Sequence, residues 1–293
     1  MNTLKKFPYT DILGWSVSRY DKFSMCKRMY FYDYYAKFDT EYTVDRINFL
    51  KKLTSLPLET GNIVHDSIKI LLERLLKSVQ PIDKKKFLEV VRKRSEENCK
   101  AKVFSEIYHN ELERVDMAQF YKNAENMLES FLCSNKYRWI TDKAVSNREN
   151  WVIEPPGYGE TRISEMKAYC KVDFLFPVEG KIHILDWKTG KSDEKKHKKQ
   201  LLGYSTWACY HFNAAASDII PTAVYLNPSY SELVASFNES DISDFVSLVK
   251  KETEEMYEFC ADFEKNIPKQ KSGFPKTENT RVCQFCNYRT LCK

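Results

Sequence analysis

Four cysteines, one early in the chain and three at its end, restrict what this sequence can fold into more than any other feature. Three form the run Cys283-Gln-Phe-Cys286-Asn-Tyr-Arg-Thr-Leu-Cys292, and the candidate for a fourth is Cys26. Zinc sites and [4Fe–4S] clusters usually take four ligands. A shared metal centre would therefore bring residues from the two ends of the chain together. The spacing alone is consistent with either kind of centre.

The nine cysteines are interpreted as reduced, because nothing in the sequence directs the chain to an oxidising compartment. Residues 1–10 contain Lys5 and Lys6 but no apolar segment of a signal peptide behind them. No apolar run approaches the ~18 residues that would cross a bilayer. We therefore expect a soluble, cytoplasmic protein without a membrane partner. The cysteines interpreted as packing residues are Cys99, Cys133, Cys170, Cys209 and Cys260.

The composition indicates a globular protein with a sizeable core, since 43% of the residues are hydrophobic and 14% are aromatic. The formal net charge is +5, and the basic residues are concentrated near the end. Between residues 268 and 293 these are Lys269, Lys271, Lys276, Arg281, Arg289 and Lys293, against one acid, Glu278. A basic segment of this kind suits a phosphate-bearing partner. A solvated surface without a partner explains the charge equally well.

A strand ending in charged residues is the most informative chemical feature. Residues 181–188 read Lys-Ile-His-Ile-Leu-Asp-Trp-Lys, and alternation along a strand places Asp186 and Lys188 on the same face. Asp173 can approach them if the preceding strand, residues 167–176, pairs with this one. Two carboxylates beside a lysine form a hard-oxygen site for Mg²⁺ or Mn²⁺. The alternative is a surface Asp–Lys ion pair.

Four short motifs occur in a defined order along the chain. A helix opens at Gly61-Asn-Ile-Val-His65, Asp173 lies in a strand, Asp186-Trp-Lys188-Thr-Gly190 ends the next strand, and Gln200-Leu-Leu-Gly-Tyr204 lies on a helix. This order resembles the RecB-like branch of the PD-(D/E)xK nuclease superfamily. The resemblance implies an α/β fold with a restriction-endonuclease-like core, in which helices flank a central mixed sheet. Cys170 stands where the family often has glycine.

The resemblance also implies roles for these residues. His65, Asp173 and Asp186 would be metal ligands, with the Trp187 backbone carbonyl as a further one. Lys188 would be the catalytic lysine. Gln200 and Tyr204 would support the site from a helix that faces DNA.

The cysteine pattern resembles the iron–sulfur subset of the same branch, which includes AddB-type subunits and CRISPR-associated RecB-like exonucleases. The resemblance implies that Cys26, Cys283, Cys286 and Cys292 hold a [4Fe–4S] cluster. Lys27 follows Cys26 where the family commonly has proline. The cluster would act as a structural staple that closes a very long chain loop and takes no direct part in hydrolysis.

These observations predict a single nuclease domain over residues 1–293. Within it, residues 1–60 carry the first cysteine, 78–140 form a helical insertion, 150–230 the catalytic core, and 267–293 the cluster loop. No phosphate-binding glycine-rich loop is present, so any helicase or other DNA-processing partner would be a separate chain.

The leading functional hypothesis is metal-dependent hydrolysis of DNA, by an exonuclease acting on single strands or duplex ends in DNA repair, recombination or processing. The lysines between 195 and 199 could follow a DNA strand, or simply be a solvated helix start. The alternative function is a non-catalytic or zinc-stapled nucleic-acid-binding subunit of a larger complex.

Overall fold

A computed structural model describes residues 4–5, 7–154 and 161–292. The helices are α1 (Val17–Met25), α2 (Lys27–Tyr35), α3 (Val44–Lys51), α4 (Leu56–Lys77), α5 (Lys84–Lys100), α6 (Ser105–Tyr108), α7 (Met117–Leu132), α8 (Asn135–Asp142), α9 (Glu194–Phe212), α10 (Glu239–Tyr257) and α11 (Thr280–Gln284). The strands are β1 (Val152–Ile153), β2 (Arg162–Ile163), β3 (Met166–Lys167), β4 (Phe174–Val178), β5 (Lys181–Lys188), β6 (Ile219–Tyr225), β7 (Ser231–Val234), β8 (Cys260–Asp262) and β9 (Ile267–Pro268).

The described chain forms two compact units. The first contains residues 4–5, 54–154 and 171–242, and the second contains residues 7–53, 161–170 and 243–292.

The first unit is built on a five-stranded sheet in the order β1-β4-β5-β6-β7. β5 and β6 run parallel, whereas the other neighbouring strands are antiparallel, so the sheet is mixed. The β5 strand occupies Lys181–Lys188, the bounds that its alternating pattern predicts. The predicted fold class, an α/β chain with a central mixed sheet flanked by helices, is confirmed.

One face of this sheet is covered by helices α4, α7 and α8. The odd-numbered side chains of β5 point to this face, where Trp187 packs on Phe131 with ring centroids 5.0 Å apart. His183 stacks on Phe176 at 5.5 Å and contacts Trp139 at 4.9 Å. His183 thus lies opposite to Asp186, as strand alternation predicts. Helices α5 to α8 lie between residues 84 and 142, largely within the interval predicted as a helical insertion.

Helix α4 is amphipathic, and its apolar stripe enters the same core. Val64, Ile68, Leu71, Leu72 and Leu75 are all buried, and burial of such side chains stabilises the fold by about 1.5–3 kcal/mol each.

The prediction that α4 opens at Gly61 is wrong, since the helix begins at Leu56. Ser55 caps it by accepting the Leu58 N–H at 3.3 Å, and Pro57 occupies the first turn. His65 therefore lies inside the helix. The apolar periodicity begins only where the helix meets the core, so it does not mark the first turn.

The single strand predicted over residues 167–176 is also wrong. β3 ends at Lys167 and β4 begins at Phe174. The intervening segment changes partner: Ala168 donates its N–H to Thr161 and forms a bridge with Trp15, whereas β4 pairs with β1 and β5. The strand propensity of a sequence does not indicate where a segment changes from one pairing strand to another.

In the second unit, residues from the early and late parts of the chain share one aromatic core. Phe23 contacts Phe259 at 5.1 Å, and Phe274 contacts Phe31 at 5.0 Å, measured between ring centroids. The Trp15 indole N–H donates to Glu252 Oε2 at 2.7 Å in a buried contact. Residues 7–53 and 243–292 are thus packed against one another.

Among the described helices, none has both the length and the apolar composition that crossing a membrane requires.

Candidate active site

Three side chains from separate elements of the first unit converge at one end of the sheet. His65 comes from α4, Glu154 follows β1, and Asp173 precedes β4. One ligand atom of each lies within 4.8 Å of those of the other two. The His65 Nδ1 atom is 3.3 Å from Asp173 Oδ2 and 3.9 Å from Glu154 Oε1.

The sheet register explains why the two carboxylates meet. β1 pairs with β4 so that Ile153 lies opposite Phe174, and the Glu154 N–H donates to the Asp173 carbonyl at 3.1 Å. Asp173 is fixed in turn by the Trp187 N–H, which donates to its Oδ2 atom at 2.9 Å. Pairing of β4 with both neighbours therefore places Asp173 between Glu154 and the end of β5.

Glu154 is the residue of this group that the sequence analysis missed as a ligand. The available signal was an acidic residue that ends a short apolar strand just before a Pro-Pro-Gly breaker. Its φ angle of +27° lies in the left-handed region that side chains other than glycine rarely adopt. Such strain concentrates at functional sites, where the surrounding structure holds it in place.

The charges of this group raise two pKa values. Burial opposes protonation of His65, but the Asp173 carboxylate, with Asp186 and Glu154, raises its pKa to about 9. Burial and the Asp173 carboxylate raise the pKa of Asp186 to about 6. The site has an excess of negative charge, and a divalent cation would compensate it. Carboxylate oxygens and one imidazole nitrogen fit Mg²⁺ or Mn²⁺.

Asp186 and Lys188 form a second cluster with two residues of α9. Lys188 Nζ lies 2.5 Å from Asp186 Oδ2 and donates to Gln200 Oε1 at 2.6 Å. Gln200 Nε2 donates to the Tyr204 hydroxyl at 2.7 Å, and that hydroxyl donates to Asp186 Oδ1 at 3.2 Å. The four side chains thus form a closed ring, which holds Lys188 in one orientation.

The structure therefore brings the predicted site residues together in two adjoining groups. His65, Glu154 and Asp173 form the first group, here called the His65 group. Asp186 belongs to the second group, because its oxygens face Lys188 and Tyr204. The Trp187 ring packs into the core, which leaves its backbone as the part available to the site. Gly61 lets α4 approach the end of β5, since a Cβ atom there would lie 2.9 Å from Thr189 Oγ1.

A cavity of about 540 Å³ opens beside the His65 group. Lys102 and Lys171 lie on its wall. Lys171 Nζ is 3.2 Å from Glu154 Oε2, and its side chain is 64% exposed. The cavity thus combines a cation-binding group with basic side chains that can meet a phosphate.

Residues 14–293 match the family model of the PD-(D/E)XK nuclease superfamily. The chain belongs to this superfamily. Membership implies metal-dependent nuclease activity, with DNA as the substrate and divalent cations such as Mg²⁺ or Mn²⁺. The match includes every motif residue named above.

No curated protein matches the sequence. Among solved structures, the crystal structure of a protein called SSO0001 is similar at 15% sequence identity, and the similarity covers 64% of this chain and 77% of that one. The TM-score of this similarity is 0.29.

This superfamily member also carries the four predicted cluster cysteines, all in the second unit. Cys26, Cys283, Cys286 and Cys292 line one mainly apolar cavity of about 190 Å³, and each is a free thiol. Burial, together with the charges of the other three cysteines, raises the pKa of Cys286 to about 11. The Met29 N–H donates to Cys26 Sγ at 3.4 Å. Four thiols around one cavity fit the donor set of a metal centre.

Proposed function

We propose that this chain is a DNA exonuclease that hydrolyses phosphodiester bonds of single strands or DNA ends, in DNA repair, recombination or processing. The convergence of His65, Glu154 and Asp173 beside the Asp186–Lys188 pair is the observation that carries this proposal. The adjoining cavity of about 540 Å³ offers a place for a nucleotide beside these residues.

The proposed roles follow from the contacts. His65, Asp173 and Glu154 would hold the cation, and Asp186, whose oxygens face Lys188 and Tyr204 here, would join them as a ligand, with the Trp187 carbonyl as a further one. Once bound, the cation would polarise a phosphate oxygen and activate water. Lys188 would orient that water or neutralise the charge developing on phosphate. Gln200 and Tyr204 would hold Lys188 and Asp186 in position.

We also propose that Cys26, Cys283, Cys286 and Cys292 hold a [4Fe–4S] cluster that staples the second unit. Their common cavity supports a shared centre. Four thiolates also suit a tetrahedral zinc site, and iron and sulfide analysis distinguishes the two centres.

The decisive experiment for the nuclease proposal compares linear and circular DNA. Anaerobically purified protein is incubated with Mg²⁺ or Mn²⁺ and 5′- or 3′-labelled linear single strands, blunt duplexes and circular single strands. We expect metal-dependent digestion of linear DNA and no digestion of circles. The labelled end that yields short products first gives the polarity.

Cleavage of the circles would replace the exonuclease proposal with endonuclease action. If neither cation supports cleavage of any substrate, the chain is a non-catalytic nucleic-acid-binding subunit instead. An EDTA-treated sample and a Lys188→Ala variant control for contaminating nucleases.

A further inference from the structure

The loop that carries three of the cysteines displays an aromatic ring to solvent. Phe285, between Cys283 and Cys286, is 86% exposed, the highest value among the large hydrophobic side chains that the structure describes. Many other aromatic side chains in this unit are buried, including Phe23, Phe31 and Phe274. An exposed ring of this kind is available for contact with a binding partner.

The backbone beneath this ring is held in place by several hydrogen bonds. Within the loop, the Cys286 N–H donates to the Cys283 carbonyl at 3.2 Å, and Arg289 Nη1 donates to the Gln284 carbonyl. The buried Tyr288 hydroxyl donates to Asp33 Oδ1 at 2.5 Å. The Asn287 side chain donates to the Leu53 carbonyl at 2.9 Å. The ring is therefore presented from a fixed backbone, so little conformational entropy is lost on binding.

The residues that flank the ring in sequence are mainly basic. Lys276 and Arg281 are exposed, and Arg289 is half-buried beside the same cavity. Glu278 is the one acidic residue in the sequence between Pro268 and Lys293. An exposed flat ring in a basic segment matches an unpaired base with its flanking phosphates, because any base can stack on an aromatic face while the phosphates contact basic side chains.

We propose that Phe285, with Arg281 and Lys276, forms a binding surface for single-stranded DNA on the cysteine loop, where the phenyl ring stacks on one base. This inference rests on the proposed function for its choice of DNA as the partner. It adds a substrate-holding role to a loop that the proposed function treats as a structural staple.

The test measures binding to the full-length protein by fluorescence anisotropy. A labelled poly-dT oligonucleotide is titrated with protein that carries Lys188→Ala to prevent cleavage, with and without Phe285→Ala. We expect Phe285→Ala to weaken binding by about 5- to 100-fold, as for the loss of one stacked base. Phe285→Trp should retain affinity, and its added indole fluorescence should be quenched by the oligonucleotide.

The matched control is Tyr9→Ala, which removes a 77% exposed ring from the same unit outside the cysteine loop. This control should bind like the parent protein. Iron and sulfide contents of all variants report whether the cysteine site is intact. Arg281→Ala should weaken binding. The slope of log affinity against log salt concentration should become shallower by about one, as expected for the loss of one phosphate contact.

Two results would overturn this proposal. One is that Phe285→Ala binds the oligonucleotide within twofold of the parent affinity. The other is that Phe285→Ala loses affinity equally for a blunt duplex, which offers no unpaired base. Cleavage by the wild-type chain is assayed in parallel. If the wild-type chain cleaves DNA and Phe285→Ala has no effect on binding, this inference fails alone. If Phe285→Ala weakens binding but the wild-type chain never cleaves, the proposed nuclease function fails alone.

Discussion

Lys188 is the residue on which the proposed chemistry depends most directly. Its ammonium group contacts Asp186 and Gln200 together, and its side chain is 16% exposed. A lysine held by two partners keeps a defined position, so it can act on a phosphate without first losing conformational freedom. An isolated Asp-x-Lys pattern is equally typical of a surface ion pair, whereas this pair is largely buried and hydrogen-bonded to Gln200 and Tyr204.

Replacing Lys188 with alanine should lower the single-turnover cleavage rate by at least about 100-fold, because one electrostatic contact to the developing charge is lost. DNA affinity should change little, since one contact among many is removed. Lys191→Ala, three residues further along and exposed, is the matched control. Cleavage that stays above a tenth of the wild-type rate would refute the role assigned to Lys188.

Glu154 provides a second residue-scale prediction. If it is a metal ligand, Glu154→Gln should weaken Mn²⁺ binding by at least about tenfold, since an amide oxygen lacks the carboxylate charge. Electron paramagnetic resonance of free Mn²⁺ measures this without reference to activity. Glu149→Gln alters an exposed acid in the same segment and should leave Mn²⁺ affinity unchanged. Equal affinity in the two variants would remove Glu154 from the ligand set.

At the scale of elements, the side chains of β5 alternate between two environments, the candidate site on one face of the sheet and the apolar core on the other. Its even-numbered residues Asp186 and Lys188 meet α9, whereas His183, Leu185 and Trp187 enter the core beneath α7 and α8. A histidine on the core side must stay neutral to remain buried at low cost. The strand therefore makes the folded state sensitive to acid on the face opposite to the site.

This sensitivity gives a pH prediction. Burial, assisted by the Lys136 ammonium, lowers the pKa of His183 to about 4. The unfolded chain binds that proton near pH 6.5 and the folded chain only near pH 4, so stability is lost as the pH falls through this window. The loss is on the order of 1–3 kcal/mol, allowing for partial exposure. His183→Phe keeps a ring against Phe176 and cannot be protonated.

Urea unfolding of wild type and His183→Phe between pH 7.5 and 4 measures the effect. The free energy of unfolding of the variant should rise relative to wild type as the pH falls below about 6.5. Parallel curves for the two proteins across this range would mean that His183 does not have the lowered pKa.

At the scale of the whole molecule, the second unit joins the early and late parts of the chain. Aromatic contacts and hydrogen bonds already connect these parts, as when Arg28 Nε donates to the Phe274 carbonyl at 2.9 Å. The four cysteines add a site for a metal centre within the same unit. If that centre is a cluster, its contribution is to stability, because ligand binding to the folded state alone stabilises that state.

Cys26→Ala and Cys283→Ala should therefore have the same effect, although about 257 residues separate them in sequence. Each should lose most of the bound iron and sulfide and lower the melting temperature by about 5–10 °C. Cys133→Ala changes an exposed cysteine outside the cavity and should do neither. Zinc in place of iron would support the zinc alternative, and unchanged stability in both variants would exclude a structural staple.

Several features of this protein could be read from the sequence because they depend on local periodicity and spacing. Alternation along Lys181–Lys188 gave the bounds of β5 and placed Asp186 beside Lys188, and the spacing of Gln200 and Tyr204 placed both on one face of α9. The three C-terminal cysteines were similarly conspicuous. Such patterns can be predicted from the sequence because each is set by the geometry of a single strand, helix or loop.

Other features depend on which distant segments pair, and only the tertiary structure decided them. Glu154 joins Asp173 because β1 pairs with β4, and the ring around Lys188 closes because α9 packs on the β5 face that carries Asp186. The start of α4 was missed because its first turn carries a cap rather than an apolar stripe. Pairing register and packing are set by contacts between residues far apart in the chain, and a single sequence records no trace of those contacts in its local pattern.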